Sequence, residues 1–240
     1  MKRLCLLLCA FVLDLDVQAK GEHAVVRIPS HGGSGTVIAT TQGHSLILSC
    51  AHMLQGAARH KPMALDVPVP TKPAHPGKVG VVVLDVDYKS DLSLIRLNHG
   101  PLPYVCPVAP AGHRPGNVLS VGYDNMQMPP QMRPATIVSS QGRITWTKQK
   151  PWHGRSGGGL IDADAGLLIG VVQAYETSPG GRGMYASHSA VLAFLAKQQG
   201  SGVRGQESER KRWPAPPAPP RGLPRLPAPI SGPPGCTPYG

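Results

Sequence analysis

The chain has 240 residues, 41% of them hydrophobic and 15% charged, a balance that excludes wholesale disorder and allows one sizeable core or two small ones. Its net charge is +11 with only 5% aromatic residues. No nucleic-acid-binding motif accompanies that charge, so the cations point to acidic substrates or anionic cell-surface polymers and not to a specific nucleic acid.

Met1-Lys2-Arg3 opens the chain and the apolar run Leu4 to Leu13 follows, too short to cross a bilayer but long enough for a signal-peptide core. Val17-Gln18-Ala19 then supplies small residues for cleavage, so residues 1–19 are read as a signal peptide and the mature chain as secreted or held in the cell envelope. A buried first strand or helix is the alternative, and a lipid-modified Cys9 a lesser one. Once residues 1–19 are removed, Cys50, Cys106 and Cys236 remain. An odd number cannot form a closed set of bridges, so Cys50 and Cys106 read as buried thiols, with their pairing left open.

From Glu22 to Tyr185 short β-branched runs alternate with Gly, Pro, Asn and Asp, which predicts strands. The first series is Ala24 to Ile28, Thr36 to Ala39, Ser45 to Leu48, Lys78 to Val86 and Leu92 to Leu97. After the proline-punctuated stretch Pro101 to Pro115 comes a second: Asn117 to Gly122, Ala135 to Ser139, Arg143 to Thr147, Gly158 to Ile161, Leu167 to Gln173 and Gly183 to Ala186. The break predicts two β units of similar size with a boundary near 101–115. One helix is expected, capped by Ser189, with Val191, Leu192, Phe194 and Leu195 facing inward and its end at Lys197-Gln198-Gln199-Gly200. Residues 20–200 are thus the folded domain. Residues 201–240 read as a basic, disordered tail, with eleven prolines between Pro214 and Pro238, a composition that favours polyproline II and buries no core. Arg221-Gly222-Leu223-Pro224-Arg225-Leu226-Pro227 has the form of a polyproline ligand, but on an exported chain it reads as compositional.

Three local contexts carry chemistry. Gly33-Ser34-Gly35-Thr36-Val37-Ile38 followed by Ser45-Leu46-Ile47-Leu48-Ser49-Cys50-Ala51-His52 delivers a histidine at the end of a strand. Ser90-Asp91-Leu92-Ser93-Leu94-Ile95-Arg96-Leu97 puts a carboxylate at the start of one. Gly154-Arg155-Ser156-Gly157-Gly158-Gly159-Leu160-Ile161 puts a serine in a glycine-rich turn. A serine hydroxyl is a poor nucleophile at neutral pH, and it needs an imidazole to take its proton and a carboxylate to orient that imidazole. Each piece alone has a bland reading as a loop or turn residue; their joint order is what carries weight.

These contexts resemble the His, Asp and Ser motifs of the chymotrypsin-like (trypsin-like) serine protease superfamily, closest in character to its bacterial Deg/HtrA-type protease units. The likeness runs over about residues 22–199, including Leu168 to Gln173, Gly183 to Ala186 and the closing helix. It implies an all-β fold of two perpendicular six-stranded β-barrels with a C-terminal helix, followed by the disordered Pro-rich tail. It implies a serine endopeptidase with His52 as base, Asp91 as its orienting acid and Ser156 as nucleophile. Asp85 and Asp87 are rivals for the acid; Asp91 is preferred because Asp-Leu-Ser-Leu-Ile resembles the family motif. The backbone N–H groups of Gly154 and Ser156 would form the oxyanion hole, reached most easily where flanking residues lack a Cβ. Lys150, Gln173, Ala174, Tyr175 and Gly183 would bind substrate, with Lys150 and Gly183 near the primary side-chain pocket.

Gly154 to Gly158 also fit the G-x-S-x-G elbow of α/β-hydrolases, but after Ser156 only His188 remains and too little chain follows for that sheet. The histidines lack metal-ligand spacing, and the implied chemistry needs no metal or organic cofactor. A polypeptide substrate is the expected partner, with the tail attracted to anionic cell-surface polymer and no transmembrane segment after signal removal. The alternative is a catalytically inactive protease-like module that binds peptides or a surface. In zymogen-type members of the superfamily an inserted N-terminal ammonium pairs with an aspartate directly before the serine. Here that position is Arg155, so no such insertion is expected and activity should need only signal removal.

Overall fold

The computed structural model describes residues 21, 23–55, 81–98 and 102–200. The chain divides into two units, Met1–Ser201 and Gly202–Gly240, and every described residue lies in the first. The expected signal peptide and Pro-rich tail fall outside the described residues.

The described chain is β-rich. The first sheet contains β1 (Val25–Ile28), β2 (Gly33–Thr40), β3 (Ser45–Ser49), β4 (Val81–Asp87) and β5 (Leu92–Leu97), in spatial order β1-β2-β3-β5-β4 and antiparallel throughout. The second contains β6 (Val118–Gly122), β7 (Gln131–Pro134), β8 (Ile137–Gln141), β9 (Ile144–Thr147), β10 (Gly159–Asp162), β11 (Leu167–Tyr175) and β12 (Gly183–Ala186), in order β7-β6-β10-β11-β12-β9-β8. Among the described residues the sheets therefore hold five and seven strands, not the six and six expected. The extra strand is β7, a sheet edge with mostly exposed residues that ends on Pro134. A polar edge strand carries no alternation to read, and a proline at its end costs no ladder bond.

Both faces of the central strands are buried, which is why Leu46-Ile47-Leu48 is an unbroken apolar run. Ile47 faces a core of the first sheet with Val26, Val37, Val83 and Ile95. Leu46 and Leu48 face a second cluster, where Val25 and Leu94 meet Val121, Ile161, Leu168 and Val171 of the other sheet. That shared cluster joins the sheets, and α1 (His188–Gly200) closes it with Val191 and Phe194. Leu192 and Leu195 are only partly buried. The cap of α1 is Ser187, not Ser189, because the Ser187 hydroxyl accepts from the Ala190 N–H at 3.2 Å. A third cluster under β8 to β12 contains Leu160, Ile169, Val172 and Tyr185. Cys50 and Cys106 are both buried and unbridged, and they belong to different clusters.

Candidate active site

Strand β3 runs through Ser49 into Cys50 and Ala51 and then a 3₁₀ turn, His52–Leu54. Met53 and Leu54 are buried and pin this turn, leaving the His52 side chain outward and 42% exposed. Asp91 sits in the turn between β4 and β5 with φ +50, a left-handed conformation unfavourable for a residue with a Cβ. There its carboxylate accepts twice from one residue: from the His52 backbone N–H at 2.8 Å and from His52 Nδ1 at 2.8 Å. The second bond assigns the ring proton to Nδ1 and leaves Nε2 as the acceptor. Asp91's hydrogen bond raises the His52 pKa above its ordinary value, with burial working the other way. Asp85 and Asp87 lie in β4; Asp87 accepts from the backbone of Lys89 and Ser90, and Asp85 accepts from Gln198.

Cys50 Sγ lies 3.6 Å from His52 Nε2. Burial and then the Asp91 charge push this thiol well above its ordinary pKa, so it stays protonated and is no rival nucleophile. Ligand atoms of Cys50, His52 and Asp91 fall within 4.8 Å of one another. Both Asp91 oxygens are already engaged by His52, so this set reads as a histidine–carboxylate pair beside a thiol.

Ser156 lies in the turn that enters β10. Every carbonyl from His153 to Ser156 is engaged: His153 O by Asn125 N–H at 2.6 Å, Gly154 O by the Ser34 hydroxyl at 2.7 Å, Arg155 O by Gly158 N–H at 2.7 Å and Ser156 O by Ser34 N–H at 2.8 Å. By contrast, the N–H groups of Gly154 and Ser156 have no acceptor among the described residues. Gly157 brings the turn onto β3, since a Cβ there would fall 2.1 Å from Ser49 Oγ and 2.2 Å from Ser34 O. Ser34 is thus the joint between the sheets, and its hydroxyl also accepts from Tyr123 N–H at 3.1 Å. No hydrogen bond links His52 to Ser156 among the described residues; in enzymes without substrate such bonds are often long or unaligned.

Of the expected substrate-binding residues, Gln173 turns its side chain into the fold. It is buried, sits at a bulge between β11 and β12, and donates through Nε2 to Ser90 O at 2.7 Å, bracing the Asp91 turn. Ala174 and Tyr175 pair with Met184 and Gly183 of β12, whereas β10 stops pairing with β11 at Val171. The opposite edge of 173–175 therefore has no strand partner among the described residues. Tyr175 Oη is hydrogen-bonded to His153 Nε2 at 3.0 Å, next to the serine turn. Lys150 Nζ donates to Ser178 O at 2.9 Å and lies 5.5 Å from the centre of the Tyr175 ring. Gly183 is packed so closely that a Cβ would meet Gln149 O at 2.6 Å. Sequence reasoning gave no role to Ser34 or Asp124, whose partners lie tens of residues away.

A family profile described as a trypsin-like peptidase domain matches residues 33–171, more than half of the chain. Among solved structures, the active form of the Rv3671c protease from M. tuberculosis is 23% identical, with 75% of this chain and 83% of that chain covered and a TM-score of 0.58. Its inactive form is 24% identical over 76% and 92%, again at 0.58. The serine endoprotease from Yersinia pestis is 21% identical over 79% and 67%, at 0.60. At these identities the likeness carries the fold. A search of curated protein sequences finds no significant match.

Proposed function

The chain belongs to the trypsin-like peptidase domain family, and on that premise we propose that it is a serine endopeptidase working through Ser156, His52 and Asp91. The observation that carries this reading is the pair of unengaged N–H donors at Gly154 and Ser156, in the same turn as a serine hydroxyl and with every neighbouring carbonyl held. Such a pair, fixed before substrate arrives, stabilises the negative charge that develops on a carbonyl oxygen under attack.

Ser156 Oγ attacks the scissile carbonyl while His52 Nε2 takes its proton, and Asp91 holds Nδ1–H and stabilises the resulting cation. The same proton passes from Nε2 to the leaving amine, giving an acyl-enzyme that water cleaves by the reverse sequence. An extended polypeptide adds along the free edge of residues 173–175, as strands add to an exposed sheet edge. Its primary side chain points toward Lys150, Tyr175 and Gly183, where the missing Cβ of Gly183 lets the Gln149–Pro151 segment close against β12.

Two finer features rest on sequence alone. The barrel description of the two sheets follows from the family resemblance, and export follows from residues 1–19. The test of the central proposal is hydrolysis of an unfolded protein substrate by the wild type and by Ser156→Ala: turnover in the first and none above background in the second, at equal thermal stability. Equal turnover in both would reject the assignment.

A further inference from the structure

Arg155, the residue immediately before the proposed nucleophile, has a side chain that is 0% exposed. A guanidinium is buried only when its donors and its charge are met. Here they are. Nε donates to Asp124 Oδ1, Nη1 to Ser120 O at 2.6 Å and Ser120 Oγ at 3.2 Å, and Nη2 to Gln131 O at 3.0 Å. One side chain thus ties the serine turn to β6, to β7 and to the turn Asp124–Met126.

That turn is itself strained and clamped. Asn125 and Met126 have φ +50 and +62, conformations that persist only when the surroundings hold them. Arg133 secures the other oxygen of Asp124, its Nε donating to Oδ2 at 2.8 Å. Arg133 also lies over the ring of Trp152, 5.1 Å from its centre, at the start of the serine turn.

Both oxyanion donors are reached from this one place. The Ser156 N–H belongs to the peptide plane whose other end is Arg155, the residue anchored on Asp124. The Gly154 N–H belongs to the peptide plane whose carbonyl is His153 O, held by Asn125 N–H at 2.6 Å. Asn125 therefore holds one plane directly, and Asp124 anchors the side chain of the residue that begins the other, whose carbonyl is held by Gly158 N–H.

We propose that the Arg155–Asp124 pair is a positioning device that keeps the Gly154 and Ser156 N–H groups aimed at the substrate oxygen, supplied wholly from within the folded domain. The cation lies on the nucleophile turn and the anion on a neighbouring loop. No inserted N-terminal ammonium is needed, and a second cation at Arg155 would be repelled. The inference rests on the serine-endopeptidase reading.

The test uses the purified full chain with Arg155→Met, which keeps bulk and removes charge, Asp124→Asn and Arg155→Lys. The readouts are labelling of Ser156 by a fluorophosphonate, kcat and KM on one peptide substrate, and affinity for a peptide boronate, whose tetrahedral adduct places a negative oxygen in the same hole. Arg155→Met and Asp124→Asn should lower kcat and boronate affinity together by about 10²-fold, the scale of a lost oxyanion donor, with KM moved less than about threefold. Arg155→Lys should recover at least about tenfold of the loss in kcat, because charge is retained. If Arg155→Met does not fold, Asp124→Asn carries the test, since Arg155 keeps its bonds to Ser120 and Gln131. A folded variant with kcat and boronate affinity within about threefold of a labelled wild type overturns the inference alone. So does a loss confined to KM. A wild type that neither labels nor hydrolyses overturns the enzyme reading, and this inference with it.

Discussion

Asp91 accepts from His52 twice, once from its backbone N–H and once from Nδ1, both at 2.8 Å. The backbone bond fixes where the residue sits and the ring bond fixes which nitrogen is free, so position and tautomer depend on one carboxylate. Asp91→Asn should keep the geometry and still fail, because an amide can present its N–H to Nδ1 and leave the proton on the wrong nitrogen. The expected loss in kcat is on the order of 10³- to 10⁴-fold with little change in fold. Steady-state kinetics on a peptide substrate check it, and a loss under about tenfold would mean that Asp91 does not orient the base.

The pH dependence follows from the same pair. Asp91's hydrogen bond raises the His52 pKa, and the ring must be neutral to accept a proton. The kcat/KM profile should therefore rise with pH to a midpoint above about 6.5, the ordinary histidine value. In stability the sign is opposite. The raised pKa contributes stability that is fully present below the unfolded value and fades as pH rises through the folded one. A profile flat between about pH 4 and 8 would rule out His52 as the base.

Side-chain preference at the primary site should exclude Arg and Lys. The segment 145–156 contains no carboxylate but does contain Lys148 and Lys150. Glu176, in the loop before Gly183, is tied by Arg182, whose hydrogen bonds hold it down to about 2. A peptide library should show no enrichment of basic residues before the cleaved bond, and Glu176→Gln should leave the profile unchanged. Strong Arg or Lys preference that vanishes in Glu176→Gln would place the pocket elsewhere.

Gly154 and Gly142 separate two effects of adding a methyl group. Gly154 has φ +85, and a Cβ there would fall 2.4 Å from Tyr123 O and 2.7 Å from Met126 N. Gly142 has φ +56 with nothing within 4 Å of the added atom. Gly142→Ala should cost about 1–2 kcal/mol of stability from backbone strain and no activity. Gly154→Ala should cost more than about 2 kcal/mol and lower kcat, because the turn must move to admit the methyl group. Thermal melts and kinetics of both variants check the contrast, and similar behaviour in the two would contradict the packing described for the serine turn.

Most strands were legible because their residues face apolar clusters on both sides, as with Leu92–Leu97, whose predicted and observed limits agree. β7 was not, because an exposed edge strand is set by its neighbour β6 and not by its own apolar pattern. The helix cap was misplaced by two residues because Ser187 and Ser189 are both competent, and only the structure shows which hydroxyl meets Ala190. His52, Asp91 and Ser156 each stand in a recognisable local context. Asp124 does not, since its meaning lies in a partner 31 residues away. Arg155 was legible as an anomaly, a cation where an aspartate was the comparison, but its burial was not. That the Gln173 side chain reaches Ser90 O was not legible, because side-chain direction at a bulge cannot be read from alternation.

Whether Ser156 is an activated nucleophile is decided by covalent labelling of the folded protein with a fluorophosphonate, read by intact mass and peptide mapping. One adduct per chain is expected, located on Ser156, formed at neutral pH, abolished by prior unfolding and slowed on the order of 10³-fold or more in His52→Ala. Absence of any adduct on folded protein that still binds peptides would contradict the serine-endopeptidase reading, and would identify the chain as a peptide-binding module on a protease fold.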